Sequence, residues 1–150
     1  MKWLAFVCCC ALLTIGAVSS QWVFAQDASP TAPVMDTAKL MKVFADPAME
    51  TIKGAIKEVP ATPKGWRVIQ DQGEAVAEIA NLTMMREGDH EKAPEWDQLA
   101  DAMKKAGLAL AESAGKKDFA DVQAKVTAVI ASCNECHKKF EPDTAPEILP

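Results

Sequence analysis

Five residues near the C-terminal end of this 150-residue chain carry its most specific chemistry: Cys133-Asn134-Glu135-Cys136-His137. On a helix, Cys133 and Cys136 lie one turn apart on one face, and His137 falls on the same face. Two thiols so spaced can add to the two vinyl groups of one haem, and the imidazole beside them can bond the iron. C-x-x-C-H is the attachment signature of c-type haem. The expected cofactor is therefore one covalent haem c, with Cys133 and Cys136 as thioethers and His137 as an axial iron ligand. Covalent capture keeps such a group bound even in a small domain.

Two other chemistries use a C-x-x-C pair. A thioredoxin-like dithiol needs a βαβ context, whereas the segment before Cys133 reads as a helix with no strand ahead of it. A structural zinc site needs about four nitrogen or sulfur ligands. The one other histidine, His90, sits in a polar loop and reads as solvated.

The remaining cysteines sharpen the assignment. Cys8, Cys9 and Cys10 fall in an N-terminal segment with the plan of a secretory signal. Lys2 supplies the basic start, Leu4 to Val18 the apolar run, and Val23-Phe24-Ala25 the small residues before a cut after Ala25. A retained membrane anchor is the rival reading, but the run is short for a span of about 20 residues. A lipoprotein cut at an early cysteine would have almost no apolar run ahead of it. Cleavage leaves Cys133 and Cys136 alone, so no thiol remains for a structural disulfide. The remaining chain has 15 basic and 21 acidic residues and a formal charge of −6. That balance argues against nucleic acid or an anionic membrane as partner. It permits docking to a basic patch on a redox protein.

The elements that must position the motif are helical. Residues 26–35 read as a flexible leader and 36–141 as the folded domain. The tail 142–150, with Pro142, Pro146 and Pro150, reads as loose. A first helix is expected from Thr37 to about Glu58, capped by Asp36 or Thr37, with Leu40, Met41, Phe44, Ala48, Ile52, Ala55, Ile56 and Val59 on its apolar stripe. Pro47 lies inside it and should kink or split it. A second helix spans about Lys64 to Met85. A third starts at Pro94, a favourable first-turn residue, and should stop at Gly115. The fourth, capped by Asp118, carries Phe119, Val122, Val126, Val129, Ile130, Cys133, His137 and Phe140 at steps of three or four. The cysteines thus extend a core stripe, which should turn the haem inward. No strand pattern competes, and tyrosine is absent. The expected fold is all-α, an antiparallel four-helix bundle of the kind that hosts cofactors between facing helices.

With its haem motif at the end of a long final helix, as Ala131-Ser132-Cys133-Asn134-Glu135-Cys136-His137-Lys138-Lys139-Phe140, the chain resembles the class II c-type cytochromes, the cytochrome c-prime family. The aromatic three residues after the histidine is met by Phe140. Many members follow it with arginine, where this chain has Glu141. The resemblance spans about Met35 to Glu141. It implies a covalent haem in a four-helix bundle, loading by the haem-attachment machinery, and export to a bacterial periplasm without stable membrane insertion. Bundles of this family often form homodimers through their first two helices.

The family divides at the sixth iron position. Low-spin members supply a methionine sulfur from the first helix and carry electrons. High-spin members leave an apolar pocket that binds nitric oxide or carbon monoxide. Leu40-Met41 stands where low-spin members carry the methionine, and a thioether raises the potential of haem iron. Met41 is therefore the expected sixth ligand, and Met49 the second candidate. A methionine at helical spacing also serves as core filler. Met35, Met84 and Met85 are placed less favourably. Trp66 and Trp96 begin helices and read as core staples. Lys138 and Lys139 suit a helix C-terminus and could also guide an acidic partner. Asp97, Asp101 and Glu112 read as a solvated face. The expected function is periplasmic one-electron transfer between redox partners, without enzymatic bond chemistry; the alternative is a five-coordinate gas-binding haem protein.

Overall fold

The computed structural model describes residues 32–86 and 93–149. The expected signal, Cys8 to Cys10, most of the leader and His90 lie outside the described residues. All regular structure among the described residues is helical.

The first arm is composite. Helix α1 (Thr37–Leu40) passes into a π turn (Met41–Ala45) and then into α2 (Asp46–Ala55). Asp36 caps it by accepting the Lys39 N–H at 2.7 Å. Pro47 does not end the helix. The turn ahead of it widens, and the Asp46 N–H reaches back five residues to the Met41 carbonyl. A proline ring in an α-helix clashes with the carbonyl four residues earlier. One extra residue in the turn relieves that conflict.

The widened turn also moves the apolar stripe. Buried positions step from Leu40 to Ala45 and then to Ala48, Met49 and Ile52. The expected stripe through Met41 and Phe44 is corrected accordingly: Phe44 is 49% exposed and Met41 only partly buried. Val59, expected on the same stripe, lies beyond the helix end and is 60% exposed.

Helix α3 (Pro63–Met84) starts at Thr62, whose hydroxyl accepts the Gly65 N–H. Helix α4 (Pro94–Lys116) opens on Pro94 as expected. It runs through Gly115, and its cap is Lys117 in the left-handed region (φ 60°). The Lys117 N–H bonds the Ala114 carbonyl and the Asp118 N–H the Ser113 carbonyl, the paired bonds of a Schellman end. Gly115 is thus an ordinary helical residue. Helix α5 (Phe119–Phe140) begins at Asp118, whose carboxylate accepts the Asp121 N–H at 3.0 Å.

Helices α3 and α4 make the closest pair, meeting at Gly73 and Gly107. A Cβ on Gly107 would lie 2.7 Å from the Gly73 carbonyl oxygen. Toward the other end the Trp96 indole N–H donates to the Thr83 carbonyl at 3.2 Å. Helix α5 packs on α4, and the first arm on α3. Side chains from all four rods share one core, including Leu40, Met49, Ile52, Ile69, Val76, Met103, Leu110, Val122, Val126, Val129 and Cys133. A groove of about 460 Å³ between the first arm and α3, lined in part by Val43, Phe44, Pro47 and Ile79, includes no α5 residue.

Candidate haem-attachment site

The last two turns of α5 carry the motif. Val122, Val126, Val129 and Ile130 are buried in sequence along one face, and Cys133 continues that face at 8% exposure. Cys136, one turn on, is half-buried, as is His137. Both sulfurs are free thiols. Burial pushes the Cys133 thiol up to about 11 and raises that of Cys136. Both therefore stand as neutral thiols at neutral pH.

His137 is held through Nδ1, the ring nitrogen nearer its backbone. Its Nδ1 lies 3.0 Å from the Pro146 carbonyl oxygen. A carbonyl oxygen only accepts, so Nδ1 carries the proton and the lone pair of the neutral ring is on Nε2. That is the arrangement a metal-ligating histidine adopts, with its second nitrogen donated to a carbonyl. The donor set thus fits a c-type haem: two unpaired thiols one turn apart and an imidazole whose tautomer leaves Nε2 for iron. Among the described residues no three His, Cys, Asp or Glu side chains converge as a zinc site requires.

The end of α5 is anchored to α4 at its start. Phe140 packs on Trp96 with ring centroids 5.0 Å apart, edge to face. Lys139 Nζ lies 3.7 Å from Glu95. Trp96 therefore joins three helices, through its indole to α3 and through its ring to α5. Trp66 makes an edge contact with Phe119 at the opposite terminus of α5. Both tryptophans act as packing staples. Ser113 bonds Asp121 across the α4–α5 turn, and that bond holds the Asp121 carboxyl below the usual carboxylate range.

The two methionine candidates differ in setting. Met41, in the π turn, is partly buried and packs against the edge of the core, while Met49 lies within it. Leu40, beside Met41, is 1% exposed. Asp101 and Glu112 pair with Lys105 and Lys116 four residues on, and Asp97 is exposed, which makes a solvated face.

Sequence reading missed the tail. It folds back on the motif rather than hanging free: Asn134 bonds both backbone groups of Ile148. The available signal was Ile148-Leu149, an apolar pair in a polar, proline-rich tail. Fourteen residues separate Asn134 from Ile148, so no local period could match them.

No described helix is long and apolar enough to cross a membrane. A comparison with curated proteins finds no match. Residues 83–141 match the model of a protein family described as Cytochrome C'. The matched segment takes in α4 and α5 with Cys133, Cys136, His137 and Phe140, and excludes Met41, Met49 and the tail. Over that segment the chain is similar to this family, and the helical fold and the C-x-x-C-H motif on α5 agree with the match.

Proposed function

We propose that this protein is an exported, mono-haem c-type cytochrome of the periplasm that passes single electrons between redox proteins. Its haem would be held in an antiparallel four-helix bundle by Cys133 and Cys136. His137 Nε2 would be one axial ligand and Met41 sulfur the other. The observation that carries the reading is the α5 face itself. Cys133 continues the core stripe, and the imidazole beside it has Nδ1 engaged. Haem iron supplies reversible one-electron chemistry. The protein's part is to exclude water with the apolar residues around Cys133, fix the imidazole, and limit rearrangement between oxidation states. The first arm lies against α3 and makes few close backbone approaches to α5, so the seam beside Cys133 and Cys136 is where a bonded planar group would have to be held. Lys138, exposed beside His137, suits contact with an acidic partner surface.

A second reading is favoured by the π turn. It turns Leu40, not Met41, fully into the core. With a leucine there and no sulfur on iron, the sixth position would stay open to nitric oxide or carbon monoxide. Absorption spectra of the purified haem-loaded protein, oxidised and reduced, decide the matter. A low-spin spectrum indifferent to carbon monoxide, which Met41→Ala converts to a gas-responsive one, supports the electron carrier. A wild-type high-spin spectrum that shifts with the gas replaces it with the gas-binding reading. Loss of covalent haem in the double variant Cys133→Ala, Cys136→Ala is expected under both.

A further inference from the structure

The residues after Pro142 return to the haem motif and touch it twice. A turn closed by the Thr144 and Ala145 N–H groups on the Glu141 carbonyl reverses the chain. The Pro146 carbonyl then meets His137 Nδ1 at 3.0 Å. Two residues on, the Asn134 amide donates to the Ile148 carbonyl at 2.9 Å and accepts the Ile148 N–H at 2.8 Å. The Ile148 side chain packs against the core.

We propose that residues 142–149 form a strap that positions the axial ligand: Pro146 fixes the tautomer and orientation of His137, and Asn134 clamps the strap in place. The inference rests on His137 being the iron ligand. The strap residues themselves, 142–149, lie outside the matched family segment, which ends at 141, whereas Asn134 and His137 lie within it. Three features make the strap suited to the task. A side-chain amide satisfying both backbone groups of one residue fixes that residue's position and direction. Proline's locked φ removes one of the two backbone rotations that place its own carbonyl. A ring N–H donated to a carbonyl makes the imidazole a more basic ligand. A more basic imidazole favours ferric over ferrous iron, so the strap lowers the reduction potential. Asn134 occupies an x position of C-x-x-C-H, so its side chain is free of the attachment chemistry itself.

The test uses the haem-loaded full chain, a chain ending at Glu141, Asn134→Ala and Ile148→Ala. Midpoint potential and solvent exchange of the axial imidazole Nδ1 proton are measured for each. The strap predicts that truncation and Asn134→Ala keep covalent haem, speed that exchange, and raise the potential. The expected size is about a tenfold change in ferric-over-ferrous preference, 59 mV for a one-electron couple. Ile148→Ala, which keeps the backbone bonds, should leave the potential close to wild type. Greater access of water to the haem favours the charged ferric site, so a fall in potential on truncation would assign the tail to shielding and overturn the proposal. Unchanged potential and exchange in both strap variants would also overturn it, as would an Ile148→Ala shift equal to that of truncation. A wild-type chain without covalent haem would instead refute the functional reading on which the proposal stands.

Discussion

The same substitution at two helical glycines should change stability in opposite directions. Gly107 of α4 faces α3. A Cβ there would sit 2.7 Å from the Gly73 carbonyl oxygen, 2.8 Å from the Ala77 nitrogen and 3.2 Å from Val76 Cγ1. The first two are backbone atoms within a helix and cannot rotate aside. Restoring ordinary contact requires the helix axes to separate by roughly 0.7 Å, which loosens packing along the whole α3–α4 seam. Overpacking of this kind costs about 1–3 kcal/mol, and backbone obstacles place Gly107→Ala near the top of that range. Alanine's helix preference returns about 1 kcal/mol. The net expectation is a loss of about 1–2 kcal/mol. Gly54 of α2 has nothing within 4 Å of its added Cβ, so Gly54→Ala should gain about 0.5–1 kcal/mol. Urea unfolding of the haem-loaded proteins at one temperature, followed by helical circular dichroism, measures both. A Gly107→Ala protein as stable as wild type, or a Gly54→Ala protein less stable, would show that the helix contact does not act as argued.

Lys117 adopts φ 60° without a glycine's freedom. Lys117→Gly should stabilise by about 1 kcal/mol, read as a raised unfolding midpoint. Trp96→Phe removes the indole bond to Thr83 while keeping an aromatic body against Phe140. It should cost about 1 kcal/mol in the same assay. Before haem is attached, burial holds the Cys133 thiol at about 11 against an ordinary value of 9.0. The folded state favours the protonated form, so this contribution is complete below pH 9 and is lost as pH rises through 11. The loss reaches roughly 2 kcal/mol by pH 11. Apoprotein stability should therefore fall more steeply over that range than in Cys133→Ala, and equal slopes would count against the burial. The thioether form cannot ionise, so haem-loaded protein should lack this component.

The sequence alone determined the local features. Asp36 and Asp118 could be named as caps, and Pro94 as a first-turn residue, because each acts on backbone within a few positions. The stripe Val122, Val126, Val129, Ile130 and Cys133 was legible for the same reason: a regular helix converts spacing directly into a buried face. The motif's chemistry followed from five adjacent residues. Tertiary structure decided what spacing could not. Pro47 met a helix held by packing on both sides of it. The chain widened a turn rather than breaking, and one extra residue moved Phe44 to the surface and Ala45 inward. Gly115 could have ended α4, but Lys117 took the left-handed cap two residues later, where the chain must turn for α5 to pack on α4. The strap that brings Pro146 to His137 depends on a contact between Asn134 and Ile148, which only the folded chain brings together.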